Sequence, residues 1–376
     1  MRILIVTHAP LRPEFGASQI ALNLGEALRA YGQDVTLWSP QPLSPNTTRW
    51  WRTLPAMRAR LDEFLGTAEG FDIVDCPATF VTPLASRSAT VLARSTQPDL
   101  LYLRNDLTSR RPQGFKGLAY LPFEYLLTLY HITLVLRGWS RATRILCLGS
   151  LELKWMRRWF PWWRHKLARY LIAPAAGDRL ELSEVRKHRA ARKEDRLRFL
   201  WIGRWVAHKG RRKLLDFITQ WSTARPQDTF TIAGCGPDAE RDCPVELVSS
   251  GIISIVPSFE RSELGGLLAR HDAGLFTSGI EGWGLSVNEM LESGMPLFAT
   301  ETGGVLDLKE FFNEQLLPFP PGPEIVSRVT GNFPISANYL NEFSWERIAA
   351  KYLQSVSSKL PLAEQHSDGG FAAQIS

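Results

Sequence analysis

The sequence predicts an α/β protein of two doubly wound lobes facing a central cleft, and three observations predict it. At 376 residues the chain exceeds the roughly 250–300 at which one hydrophobic core stops growing, so two domains are expected. A series of short apolar runs alternating with helical patterns begins at residue 2 and begins afresh at residue 198. Between the two series lies a polar, charged stretch, DRLELSEVRKHRAARKEDR, which reads as the interlobe connection.

The first series opens with a strand over 2–7, a helix from about Ser18 to Tyr31 and a strand over 34–39. Ile20, Leu22, Leu24, Ala27 and Leu28 give the helix its apolar face and Gly32 ends it. A βαβ unit implies parallel strands, because the crossover helix must return the chain to the same edge of the sheet. Further strands are expected over 71–75, 89–93 and 144–148, with a long helical region between the last two. The second series reads as strands over 198–202, 229–233, 252–256, 273–277 and 296–299, with helices over 212–221, 262–270 and 286–293. The predicted organisation is a first lobe over 1–178, a linker over 179–196, a second lobe over 197–342, a helix over 343–360 and a flexible tail over 361–376.

Composition narrows the class. With 44% hydrophobic and 22% charged residues the chain is a folded globular protein, not a disordered or fibrous one. The charge of +6, from 44 Lys and Arg against 38 Asp and Glu, favours phosphate or anionic lipid partners; no nucleic-acid partner is expected. Cys76, Cys147, Cys235 and Cys243 form no metal-ligand spacing, so they read as buried thiols in a reducing compartment and zinc is not expected. The apolar run at the N-terminus is too short for a signal peptide, and 118–136 is broken by Pro122, Glu124 and His131, which disfavours a spanning helix.

The chemistry concentrates after the strand over 273–277, in Gly279-Ile280-Glu281-Gly282-Trp283-Gly284-Leu285-Ser286-Val287-Asn288-Glu289. Ligands of α/β sheets bind at such strand-to-helix turns. Gly282 and Gly284 permit close backbone approach, and the N–H groups of Leu285 to Asn288 at the positive end of a helix attract a diphosphate. Glu289 suits a ribose diol and Glu281 a sugar, although Ser286-x-x-Glu289 is equally a capping box. A second loop, Gly203-Arg204-Trp205-Val206-Ala207-His208-Lys209-Gly210, places two cations past a strand, where Arg204 and Lys209 would neutralise the charge of a departing diphosphate. The same basic loop also reads as plain solvated surface. Gly234-Cys235-Gly236-Pro237 reads as a tight turn, with Gly236 able to admit a ligand. In the first lobe Gly16 directs backbone donors toward the cleft, and the absence of GxGxxG disfavours a nicotinamide enzyme.

These residues resemble the retaining glycosyltransferases of GT-B fold, two Rossmann-like lobes, specifically family 4. The strongest match is the Glu-x7-Glu pattern of Glu281 and Glu289 within EGWGLSVNEMLESGMP, supported by GRWVAHKG, AGCGP, APAAGD, FGASQIALNLGEAL and FSWERIAAKYL. The resemblance implies that the first lobe binds the acceptor and the second the nucleotide sugar, with Glu289 holding the donor ribose, Arg204 and Lys209 the diphosphate, and Glu281 the transferred sugar. Gly16 would lie near the phosphates, and backbone atoms around Val256 would meet the base. It also implies retention by front-face attack with the leaving phosphate as base, no bound metal and no other cofactor, and a helix from Ser344 crossing back to the first lobe. Many relatives carry a histidine after an Arg-x motif in the first lobe; here Arg94-Ser95-Thr96-Gln97 has none, which leaves His8 or His131.

The expected activity is hexosyl transfer from a nucleotide sugar to a glycan or lipid-linked acceptor in cell-surface polysaccharide or lipopolysaccharide synthesis. A nucleotide-sugar epimerase of the same fold and a non-catalytic membrane-associated adaptor remain open alternatives. Trp155, Trp159, Trp162 and Trp163 interleave with Arg157, Arg158 and Arg164, and RWWRTLPAMRAR over 49–60 repeats that chemistry. Such helices can lie among anionic head groups, so the chain is expected to be cytoplasmic and peripheral on the inner face of the cell membrane; an acceptor wall or a packed surface helix is the other reading.

Overall fold

The computed structural model describes residues 1–12, 16–43, 50–109, 114–188, 196–322 and 333–357. Twelve strands build two parallel sheets among the described residues. The first contains β1 (Arg2–Val6), β2 (Asp34–Trp38), β3 (Ile73–Cys76), β4 (Thr90–Arg94), β5 (Arg144–Leu148) and β6 (Leu167–Tyr170), in the order β2-β1-β3-β4-β5-β6. The second contains β7 (Arg198–Ile202), β8 (Thr229–Ala233), β9 (Ile253–Val256), β10 (Ala273–Phe276), β11 (Leu297–Ala299) and β12 (Leu316–Pro318), in the order β12-β11-β10-β7-β8-β9. Both sheets are covered by helices on each face, which is why Ile3, Leu4, Ile5 and Val6 can be consecutive and all buried. Every interior residue of that kind contributes roughly 1.5–3 kcal/mol of hydrophobic stabilisation.

The edge strands β6 and β12 lie outside the strands predicted from sequence. Leu-Ala-Arg-Tyr is half-solvated with Arg169 exposed, and β12 is three residues ending in Pro318, so neither carries the apolar run of a central strand. The stretch read as a linker over 179–196 is helical over its described part up to His188. A helix, Ala176–His188, occupies its first part, and residues 189–195 lie outside the described residues. Its polarity has a tertiary cause: Arg179 donates to both oxygens of the buried Glu292 at 2.9 and 2.8 Å, and Arg186 donates to the carbonyls of Leu291 and Glu292.

The helix Trp345–Ser357 runs back onto the first lobe. Trp345 donates its indole N–H to the Pro174 carbonyl at 3.0 Å, and Arg144 donates to the carbonyl of Ser355 at 3.2 Å. Ile348, Ala349 and Tyr352 share one buried cluster with Ile20 and Leu24 of the first lobe and Met290 and Leu291 of the second. The tail expected over 361–376 lies outside the described residues. All four cysteines are buried and unbridged.

Candidate functional site

In the second sheet the chain reverses direction of winding between β7 and β10, which are neighbours although they are first and fourth in sequence. A crevice opens at such a point because the connections leave to opposite sides. The loop after β7 carries Arg204 and Lys209; the loop after β10 carries Glu281. The two loops are clasped together. The Thr277 hydroxyl donates to the Lys209 carbonyl at 2.8 Å, and Gly279 N–H to the His208 carbonyl at 2.8 Å. Gly210 has φ +74°, and a Cβ there would sit 1.9 Å from the Thr277 carbonyl oxygen, so only glycine fits.

Lys209 and Glu281 form a half-buried ion pair, and Glu281 also accepts from the Ser278 hydroxyl at 3.2 Å and the Gly282 N–H at 3.2 Å. Arg204 is exposed at the rim. Desolvation first, then the positive charges of Arg94 and Arg204, hold the His8 imidazole just past β1 below its ordinary pKa. Arg204 is therefore electrostatically close to the first lobe. His131 lies on the long helix Gly114–Arg141 beside Tyr130.

The helix predicted over 286–293 spans Leu285–Glu292. Gly284, left-handed at φ +85°, is its N-cap, so Ser286 is inside the helix and makes no capping box. Val287 N–H turns back to the Gly284 carbonyl at 2.9 Å, which leaves Leu285 and Ser286, not the full run to Asn288, as the donors aimed past the helix end. A Cβ on Gly16, the first residue of helix Gly16–Ala30, would lie 3.7 Å from Leu285 Cδ1. Two helix N-termini from opposite lobes thus converge on one crevice. Gly282 serves the lobe contact rather than a ligand: a Cβ there would lie 2.5 Å from the Thr96 carbonyl oxygen.

Glu289 is only 3% exposed and accepts from Arg261 at 2.7 Å; the same guanidinium donates to Asp178 at 2.8 Å. Burial pushes the Glu289 carboxyl above its usual range, with Arg261 opposing. Arg261 was invisible to sequence reasoning, since Glu-Arg-Ser-Glu at 260–263 looks like any helix start and its partners are 28 and 83 residues away. Gly236, at φ +74°, faces open space, and Val256 at the end of β9 gives its carbonyl to Gly234 N–H at 2.9 Å. A buried network anchors the far side of the same helix. Trp283 donates to Asn288 at 2.6 Å, Asn288 to Tyr339 at 3.0 Å, and Tyr339 to Glu292 at 2.5 Å.

Further contacts join the first lobe to this site. Ser150 donates its N–H and hydroxyl to Asp307 at 2.8 and 2.6 Å, and the Tyr102 hydroxyl lies 3.1 Å from the His208 ring. The loop Arg94–Gln97 backs onto Gly282. Of the four tryptophans read as membrane-facing, Trp159 and Trp162 are exposed, while Trp163 stacks on Phe160 and Trp155 lines an interlobe cavity. In the second basic stretch Arg58 donates to Thr79 and Arg60 to Pro40 and Pro42, so both are spent on backbone carbonyls. Among the described residues no helix is long and apolar enough to cross a membrane, and no group of three or more His, Cys, Asp or Glu is placed to hold a metal ion.

No family profile and no curated protein sequence matches this chain. Solved structures do. The chain is similar to sucrose-phosphate synthase from Thermosynechococcus elongatus, with 16% identity, a TM-score of 0.60 and 94% of each chain covered. It is similar to HepE from Anabaena, solved with UDP and glucose, at 15% identity and TM-score 0.60, covering 95% of this chain and 100% of that one. It is also similar to WaaG, a glycosyltransferase involved in lipopolysaccharide biosynthesis, at 13% identity and TM-score 0.56, covering 96% of each. The shared architecture is GT-B, with two parallel six-stranded sheets facing a cleft.

Proposed function

We propose that the protein transfers a hexosyl group from a nucleotide sugar to a hydroxyl of a glycan or lipid-linked acceptor, with retention of configuration and without a bound metal. The observation that carries this reading is the meeting of the loop that bears Arg204 and Lys209 with Glu281, just before the N-terminus of helix Leu285–Glu292, at the switch point of the second sheet. A diphosphate in that crevice would take Lys209 from Glu281 and lie against the N–H groups of Leu285 and Ser286, with Arg204 closing over it. Glu281, released, would hold hydroxyls of the transferred sugar, while Glu289, fixed by Arg261, would meet the ribose. The cations stabilise charge as it develops on the leaving diphosphate, the work a metal does elsewhere. The fold's likeness to HepE with UDP and glucose, and to WaaG, supports a nucleotide-sugar donor and an acceptor in cell-surface glycan synthesis.

Thermal melting with UDP, GDP, ADP and dTDP sugars tests the donor assignment, because a ligand that binds only the native state raises its stability. One base should raise the melting temperature of the wild type and leave Glu289→Ala nearly unmoved. A flat response to all four in the wild type would sink the proposal. Trp159 and Trp162, exposed beside Arg158, are the groups proposed to rest among anionic head groups. Co-sedimentation with phosphatidylglycerol vesicles should fall when both are changed to alanine; binding indifferent to anionic lipid removes that part.

A further inference from the structure

A cavity of about 300 Å³ lies between the loop Gly279–Gly282 and the first lobe. Its walls are mainly apolar, with Leu101, Leu148, Leu151 and Trp155 from the first lobe and Ile280 from the second. Its polar side chains are the carboxyls of Glu152, Glu281 and Glu301 and the hydroxyl of Thr302, which donates to the Ser278 carbonyl at 3.3 Å; no Lys, Arg or His lines it among the described residues. Glu281 is paired with Lys209 and Glu301, at the rim, with Lys309. Glu152 has a different environment. It is 8% exposed, accepts from the Ser95 hydroxyl at 2.8 Å and the Leu148 N–H at 2.5 Å, and lies beside the Arg94–Gln97 loop where the expected histidine is missing. Its carboxyl is pushed up to about 8, by burial first, with the charge of Asp99 adding to the rise and the two hydrogen bonds opposing it. A buried carboxyl without a cationic partner is costly, and clefts are where such groups are kept for use.

Resting on the transferase reading, we propose that this cavity is the acceptor subsite, that it selects an uncharged sugar ring stacked on Trp155, and that Glu152 holds the acceptor hydroxyl. The indole supplies a flat apolar face for the ring's C–H surface and the carboxyls supply hydrogen bonds, while an anionic acceptor would be desolvated against apolar walls with no lining cation to compensate it. In the reaction the bond from the sugar's anomeric carbon to the diphosphate oxygen breaks and the bond to the acceptor oxygen forms. The hydroxyl proton passes to a leaving phosphate oxygen. Glu152 keeps its own proton and orients the attacking oxygen.

The test uses the full chain and saturation-transfer NMR with two probes, octyl β-glucoside below its micelle concentration and glucose 6-phosphate, with and without UDP. Octyl glucoside should bind, and glucose 6-phosphate at least about tenfold more weakly. Trp155→Leu, which keeps the wall apolar, and Glu152→Gln should each weaken the glucoside about tenfold or more while leaving nucleotide-induced thermal shifts within twofold in affinity. Absence of glucoside binding to the wild type, equal binding of the phosphate, or an unmoved affinity in both variants would overturn the subsite. Loss of every nucleotide shift with glucoside binding intact would instead overturn the transferase reading, so the two failures are distinguishable.

Discussion

The two walls of the cleft are built from different chemistry. The second-lobe wall presents Arg204, Lys209 and Arg261 with backbone donors at a helix end, whereas the first-lobe cavity presents leucines, Trp155 and the uncompensated carboxyl of Glu152. On the proposed reading, the cationic crevice suits a polyanionic ligand and the apolar, carboxyl-bearing one a neutral ligand. The carboxyls show the same division. Glu281 and Glu289 each have a cation within reach, and Glu152 has only neutral donors among the described residues.

The sharpest way to break this comparison is to discharge the second-lobe wall. Lys209→Ala should lower turnover by about 10²–10³, the scale of losing one preorganised charge-stabilising donor; steady-state release of nucleoside diphosphate measures it, and near-normal turnover would mean that the cationic wall is only structural. Next in size is the clasp that holds that wall together. Gly210→Ala forces a Cβ against the Thr277 carbonyl in a left-handed backbone, and chemical denaturation should show a loss of about 1–3 kcal/mol or more. Tyr339→Phe removes the hydroxyl shared by Glu292 and Asn288 and should cost about 1–2 kcal/mol, with donor affinity falling because helix Leu285–Glu292 is less firmly placed.

The smallest effect probes the first-lobe wall through pH. A carboxyl whose folded pKa is raised binds its proton more tightly in the native state than in the unfolded one. Stability is therefore fullest below the unfolded pKa of about 4.3 and declines as pH rises toward the folded value. For Glu152 that value is about 8 and for Asp99, raised by burial, about 7. Melting temperature should fall between about pH 5 and 8, and Glu152→Gln should flatten the fall. A wild-type profile that rises through this window would contradict the environment described for Glu152.

Much of the architecture was legible in the residues. The apolar runs that became β1, β5, β7 and β8 are central strands covered on both faces, so their sequences carry the full signal. The polarity of helix Ala176–His188 marked it as the interlobe connection but gave no sign that Arg179 and Arg186 are partners of the buried Glu292. Glu152 was passed over for a related reason. Helix Gly149–Trp159 is crowded with basic and aromatic residues that suggest a surface, yet Glu152 stands next to Leu153 and four residues before Met156, on the buried face, and that spacing could have flagged it.

Sequence alone determined what is local: two series of strand and helix periodicity, the loops that carry Arg204, Lys209 and Glu281, and the glycines whose left-handed backbone leaves no substitute. These follow from repeat lengths and steric limits that act over a few residues. Tertiary structure alone decided which groups face each other. Arg261 finds Glu289 across 28 residues, Arg179 finds Glu292 across 113, and Trp155 faces a cavity instead of solvent. Such pairings depend on how whole lobes pack, since burial and Coulomb energy are set by distance in space, which the order of residues along the chain does not specify.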